Sequence, residues 1–171
     1  MDYKLFKLIN QLAGRSFWVD KLMILISNRA RYLYLFAILF LLICKGRNKE
    51  VGKNAVYSMC LAYLVNLMIR IFSYKPRPFV KHRVGILKPC KMDSSFPSKH
   101  TLLVFAVSTS IIMYKKGIGL VLSTLSLLTG LSRVWLGHHY PSDIIGSACI
   151  GSLISVVVDR FQNEKKKYPS H

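Results

Sequence analysis

Acidic residues are the scarcest feature of this chain: its 171 residues carry 7 Asp+Glu against 25 Lys+Arg, a formal net charge of +18. So few carboxylates form no cluster able to hold divalent ions, and neither a metal nor any other cofactor is expected. Cysteine is sparser still. Four occur, none in a CxxC or Cys/His ligand spacing, which excludes a disulfide framework and a zinc site. Cys44, Cys60 and Cys149 lie in apolar runs and read as small buried packing residues, whereas Cys90 stands alone in a polar loop. The opening stretch MDYKLFKLINQLAG lacks the apolar core and small-residue cleavage site of a signal peptide, so none is expected. Internal repeats and low-complexity segments are also missing. In a soluble chain such a charge would point to nucleic acid, but no basic helix and no RNA-stacking motif is present, and no nucleic-acid partner is expected.

What the chain does have is apolar length. Its hydrophobic fraction is 52%, and the charges sit between long apolar blocks, as in a multispanning membrane protein with basic loops. The expected fold class is all-α: a polytopic membrane helix bundle of about five to six helices in one domain. Residues 1–16 read as an amphipathic interfacial helix with Leu5, Phe6, Ile9, Leu12 and Ala13 on one face. Residues 17–160 read as the bundle and 161–171 as a basic tail. The first span, roughly 20–44, is expected to bend at Ser27-Asn28-Arg29-Ala30-Arg31, with both arginines turned to water or headgroups. Further spans are expected at about 55–72, 97–114, 118–136 and 141–158. In the last, Ser147, Gly151 and Ser155 recur every four residues, a surface for close packing within one subunit or for a homodimer seam. Trp18, Tyr74, Trp135 and Tyr140 fit an interfacial aromatic belt. Positive charge is shared by both membrane faces and does not orient the chain.

Alternation of spans brings three polar clusters to one face: Arg70 to Pro78, Phe96 to His100, and Ser132 to Asp143. Arg70, Arg77 and Arg133 stay charged at any working pH and can fork onto phosphate oxygens. Ser98 can cap the helix that follows it, presenting backbone N–H groups to an oxyanion. Asp143, four residues after His139 around a helix start, can reach one imidazole nitrogen and leave the other as a nucleophile. His100, one turn into the opposing helix, can act as acid and then base. Phosphate-ester hydrolysis is among the slowest uncatalysed reactions, and three arginines plus a helix terminus can supply the electrostatic clamp it needs without metal. Lys75, Lys81, Arg83, Lys88 and Lys91 read as headgroup-facing charge or as attraction for the anion, and His138 as a structural neighbour of the nucleophile. His82 and His171 read as solvated.

These residues resemble the type 2 phosphatidic acid phosphatase superfamily, with its motifs K-x6-R-P, P-S-G-H and S-R-x5-H-x3-D. The third matches at Ser132, Arg133, His139 and Asp143, the second at Pro97, Ser98 and His100, and the first at Arg77 and Pro78. Arg70 stands in place of the lysine and Lys99 in place of the glycine. A lysine there disfavours positive φ and adds a cation beside the phosphate, as a further ligand or as a side chain turned to water. The phrases around Pro76-Arg77-Pro78-Phe79-Val80 and Gly137-His138-His139-Tyr140-Pro141 are similar to the bacitracin-resistance undecaprenyl-pyrophosphate phosphatases, which commonly carry Asp at the Lys99 position. That resemblance implies catalysis by His139, His100 and Asp143 through a phosphohistidine. It also implies phosphate binding by Arg70, Arg77, Ser98, Lys99 and Arg133, a polyprenyl pyrophosphate substrate, and a site on the extracytoplasmic side of a bacterial membrane. A phosphatase for phosphatidylglycerol phosphate or phosphatidate, and a non-catalytic lipid-binding protein on the same scaffold, are the alternatives.

Overall fold

The computed structural model describes residues 2–81, 84 and 93–167, with side chains as far as 164. The readings for His82, Arg83, Lys88, Cys90, Lys91 and His171 lie outside these residues. The described residues form helices alone: α1 (Asp2–Asn10), α2 (Phe17–Ile43), α3 (Arg47–Phe72), the single turn α4 (Pro78–Lys81), α5 (Lys99–Ile112), α6 (Lys116–Trp135) and α7 (Pro141–Lys167). Among the described residues, α2, α3, α6 and the 141–164 part of α7 are long and apolar enough to cross a membrane. The chain is a multi-pass membrane protein. Phe36, Ile43, Ile71, Phe72 and Val121 project outward from this bundle, apolar surface suited to acyl chains rather than water.

α5 is the hub. It packs against α2, α3, α6 and α7, and Leu102, Ala106, Val107 and Ile111 are buried on different sides of it. A helix apolar all round belongs in such an interior. Its 14 residues span only ~21 Å at 1.5 Å per residue, short of the ~30 Å hydrocarbon core. The bundle therefore has room above the α5 N-terminus, and the functional cavity lies there.

The first span differs from expectation. α2 runs without a break through Ser27–Arg31, because tertiary contacts satisfy the polar stretch: Ser27 and Ala30 are buried against neighbouring helices. Lower on the same helix, the Tyr34 hydroxyl donates to the Leu122 carbonyl at 2.8 Å and contacts Ser126 Oγ at 2.8 Å, joining α2 to α6. α1 packs on α6 and α7 through Phe6, and Asn10 Nδ2 donates to the Trp135 carbonyl at 2.9 Å. Trp18 and Tyr74 are exposed as an aromatic belt requires, but Trp135 and Tyr140 are not part of one. Trp135 is buried with its indole N–H on Asp20 at 2.8 Å, and Tyr140 packs on Phe6. Cys60 and Cys149 are exposed on the bundle rather than buried in it.

The small-residue stripe on α7 is taken up inside the subunit, against α5. Ser147 Oγ accepts from the Ser98 N–H at 2.8 Å, and Ser155 Oγ donates to the Ala106 carbonyl. A Cβ on Gly151 would lie 2.4 Å from the Leu102 carbonyl oxygen, a backbone atom that cannot swing away. Gly151→Ala is expected to cost about 1–3 kcal/mol by overpacking and to lower the melting temperature in detergent. Gly117→Ala, whose Cβ meets nothing within 4 Å, should leave it unchanged.

Candidate active site

A cavity of about 540 Å³ opens over the α5 N-terminus, walled by His100, His139, Arg70, Arg77 and Arg133, with Arg31, Asp93, Pro97 and Lys99 completing it. Four separate stretches thus supply charge to one space: α2, the α3 end and its following loop, the segment leading into α5 with its first turn, and the end of α6 with the α6–α7 connection.

His139 sits in the connection that turns at Gly137, where φ is +78° and a side chain would be strained. Its ring is buried. Nδ1 lies 2.6 Å from the Ser95 carbonyl oxygen, which can only accept, so the proton is on Nδ1. Nε2 faces Arg77 Nη1 at 3.1 Å, which can only donate, so Nε2 carries a lone pair. The imidazole is held in the one tautomer that offers Nε2 as a nucleophile toward the cavity.

The expected contact from Asp143 to His139 is replaced by a relay. Asp143 is fully buried in the first turn of α7, and its carboxylate accepts from Ser95 Oγ at 2.5 Å, Lys75 Nζ at 2.6 Å and the Tyr140 N–H at 3.1 Å. It therefore holds Ser95, whose own carbonyl holds His139. The α7 start aims the carboxylate at the 94–95 segment, because that segment packs between the carboxylate and the ring. Lys75 is consequently tied into the site rather than directed at headgroups.

Arg77 is buried and bonded on every side. Nη1 donates to the His138 carbonyl at 2.9 Å, while Nε and Nη2 reach Asp93 Oδ1 at 3.0 and 2.5 Å. Arg70 Nη2 donates to the Ser94 carbonyl at 2.9 Å and pairs with Asp93 Oδ2 at 2.7 Å. The Asp93 carboxylate thus lies between two guanidiniums, where a phosphate would otherwise neutralise them. Partial burial raises its pKa, but hydrogen bonds and charge from Arg77 and then Arg70 outweigh this and hold it below the usual carboxylate value. Arg133, buried, donates to Ser27 Oγ at 2.8 Å, a contact that fixes α2 against the site.

Ser98 is not in the cavity wall. It occupies the N-cap position of α5 without a side-chain capping bond; its hydroxyl meets Thr101 Oγ1 at 3.0 Å and its N–H is taken by Ser147. The close α5–α7 packing consumes the group expected to bind phosphate. Lys99 has ordinary helical backbone, since no described non-glycine residue has positive φ. Its ammonium lies 4.7 Å from the Tyr63 ring centroid at the cavity edge. Asn66 Nδ2 donates to the Pro97 carbonyl at 3.4 Å. His138 contributes its carbonyl to Arg77, and its ring is buried outside the wall.

Sequence reading missed Arg31, Asp93, Ser95 and the inward role of Lys75. For Arg31 the signal was present as a charge in an otherwise apolar run; its direction was not. Among the described residues no group of three or more His, Cys, Asp or Glu is placed to hold a metal ion.

Residues 52–167 match the profile of the PAP2 superfamily. The chain belongs to that superfamily. It is 35% identical over 166 residues to undecaprenyl-diphosphatase BcrC of Bacillus subtilis (strain 168), covering 95% of this chain and 85% of that protein. It is 31% identical over 158 residues to an undecaprenyl-diphosphatase of Sulfolobus acidocaldarius, covering 90% and 75%. The crystal structure of Aquifex aeolicus LpxE matches with a TM-score of 0.80 at 27% identity, over 93% of this chain and 94% of that one. In this PAP2 chain every cavity residue except Arg31 lies within the matched region.

Two outcomes follow from this geometry. Asp93→Asn removes the competing carboxylate and should tighten inhibition by orthovanadate about tenfold; an unchanged or weaker inhibition constant would contradict the counter-ion role. Burial, then the charges of Arg133 and Arg77, lower the His139 pKa well below 6.5, against a smaller opposing effect of the Ser95 hydrogen bond. Protonation removes the Nε2 lone pair, so an acid limb of kcat/KM due to His139 should fall below pH 6.5. A limb centred at or above 6.5 would refute it.

Proposed function

We propose that this PAP2 lipid phosphatase hydrolyses undecaprenyl pyrophosphate to undecaprenyl phosphate and inorganic phosphate. The observation that carries the reading is the His139 tautomer, whose Nε2 lone pair faces the Arg77 guanidinium, in a residue lining a cavity walled by arginines. Nε2 attacks the terminal phosphorus and a P–N bond forms as the P–O bond to the lipid phosphate breaks. His100 gives its proton to the departing oxygen. The Ser95 carbonyl keeps the Nδ1 proton of the phosphohistidine in place. Water then attacks the same phosphorus, His100 takes its proton, the P–N bond breaks, and phosphate leaves with the Nε2 lone pair restored.

Arg70, Arg77 and Arg133 hold the transferring group, and their charge matches the negative charge spread over its oxygens. For the first two, binding exchanges Asp93 for phosphate. Asp143 acts as a positioning residue through Ser95, and Lys99 adds a cation at the cavity edge. The lipid identity is supported by two relatives named undecaprenyl-diphosphatase across most of this chain. The reading places the cavity at the extracytoplasmic face of a bacterial membrane, where the released carrier lipid returns to cell-wall precursor synthesis.

The test is turnover by the full chain in detergent on undecaprenyl pyrophosphate, phosphatidylglycerol phosphate and phosphatidate, with chelator present. The diphosphate should be preferred, and His139→Ala should lose at least ~10³-fold in rate. Preference for a glycerolipid monophosphate would overturn the substrate, and normal phosphate release by His139→Ala would overturn the site.

A further inference from the structure

α2 lies before residue 52, where the superfamily match begins, yet it puts a charged side chain into the site. Arg31 lines the main cavity together with Lys99 and His100. The same three residues also line a smaller cavity of about 100 Å³, whose remaining wall includes Ala30, Leu103 and Val104. They mark the place where the cationic space passes into an apolar one between α2, α5 and α6.

Two kinds of cation surround the reacting position. Arg70 and Arg77 are held on Asp93, and Arg77 stands beside His139. Arg31 and Lys99 are exposed to the cavity, form no ion pair among the described residues, and rest on aromatic groups instead. Arg31 Nη2 meets the Tyr32 hydroxyl at 3.2 Å, with its guanidinium 5.0 Å from that ring's centroid, and Lys99 lies over Tyr63.

We propose that Arg31 and Lys99 form a subsite for the second phosphate of a lipid diphosphate, the one retained by the departing lipid. The proposal rests on the reading that His139 attacks the terminal phosphorus and His100 protonates the leaving oxygen. That oxygen then lies at His100, and the phosphate attached to it lies on the side where Arg31 and Lys99 converge, with the lipid chain toward Leu103 and Val104. As the P–O bond breaks, negative charge grows on this leaving phosphate, and two cations without a carboxylate partner stabilise it. A monophosphate ester has nothing to place there, so the pair selects for diphosphates. Arg31 contributes a fork for two oxygens and Lys99 a point charge.

The experiment compares farnesyl diphosphate with farnesyl monophosphate, the same chain with and without the second phosphate, on wild type, Arg31→Gln, Lys99→Gln and the double variant in detergent. The ratio of kcat/KM values, diphosphate over monophosphate, should fall ~10-fold or more in each single variant and further in the double. Arg31→Lys should recover part of it. Competitive inhibition by inorganic pyrophosphate should weaken ~10-fold, and by more than inhibition by orthophosphate, a readout that needs no turnover. Equal losses on both substrates and both inhibitors, or no loss on the diphosphate, would overturn the subsite. The wild-type arm decides separately: faster hydrolysis of the monophosphate would overturn the diphosphatase reading itself.

Discussion

The site depends on one buried carboxylate. Asp143 has no access to solvent, and an ionised group so placed is tolerated only when its oxygens are fully engaged. A Lys75 ammonium, the Ser95 hydroxyl and the Tyr140 N–H engage them. Only the lysine side of the Lys75–Asp143 pair reaches solvent, so removing any one partner would leave a buried carboxylate oxygen without its contact. These three contacts let a single residue at the start of α7 tie together the loop after α3, the segment before α5 and the α6–α7 connection. The His139 tautomer is a consequence, because the Ser95 carbonyl is held where only an N–H can face it.

Around this anchor the electrostatics are those of a chain with very few acids. Arginines gathered at a recessed position repel one another and demand an anion. Asp93 answers that demand for Arg70 and Arg77 from a partly exposed position, at the edge of the cavity rather than beneath it. A deeply buried carboxylate would have neutralised the clamp permanently, as Asp143 does for Lys75. An exposed one is exchangeable, which suits a site that must take up and release phosphate repeatedly. Of the other cavity cations, Arg133 bonds Ser27, and Arg31 and Lys99 rest on polar and aromatic contacts.

The helical frame explains why these charges can gather within a membrane protein. α5 is enclosed by other helices and is shorter than the hydrocarbon thickness, so the space above its first turn is lined by protein rather than by lipid. Polar backbone and charged side chains are tolerated at such a depth only in that setting. The α7 stripe of Ser147, Gly151 and Ser155 lets α5 approach closely enough to put His100 opposite the α6–α7 connection.

Much of this was written in the order of the residues. Apolar blocks of spanning length dictated a helical membrane bundle, because backbone groups in lipid must be satisfied within the segment. The spacing of Arg133, His139 and Asp143, and the placement of Arg77 and His100, marked a phosphate site at one face. What the sequence could not specify was direction and partner choice among side chains far apart in the chain. Whether Asp143 bonds His139 or Ser95, whether Ser98 faces phosphate or Thr101, and whether Arg31 turns to headgroups or to the cavity depend on helix rotation and close packing. Local spacing does not encode those; they are decided only when α2, α5, α6 and α7 compete for the same interior space.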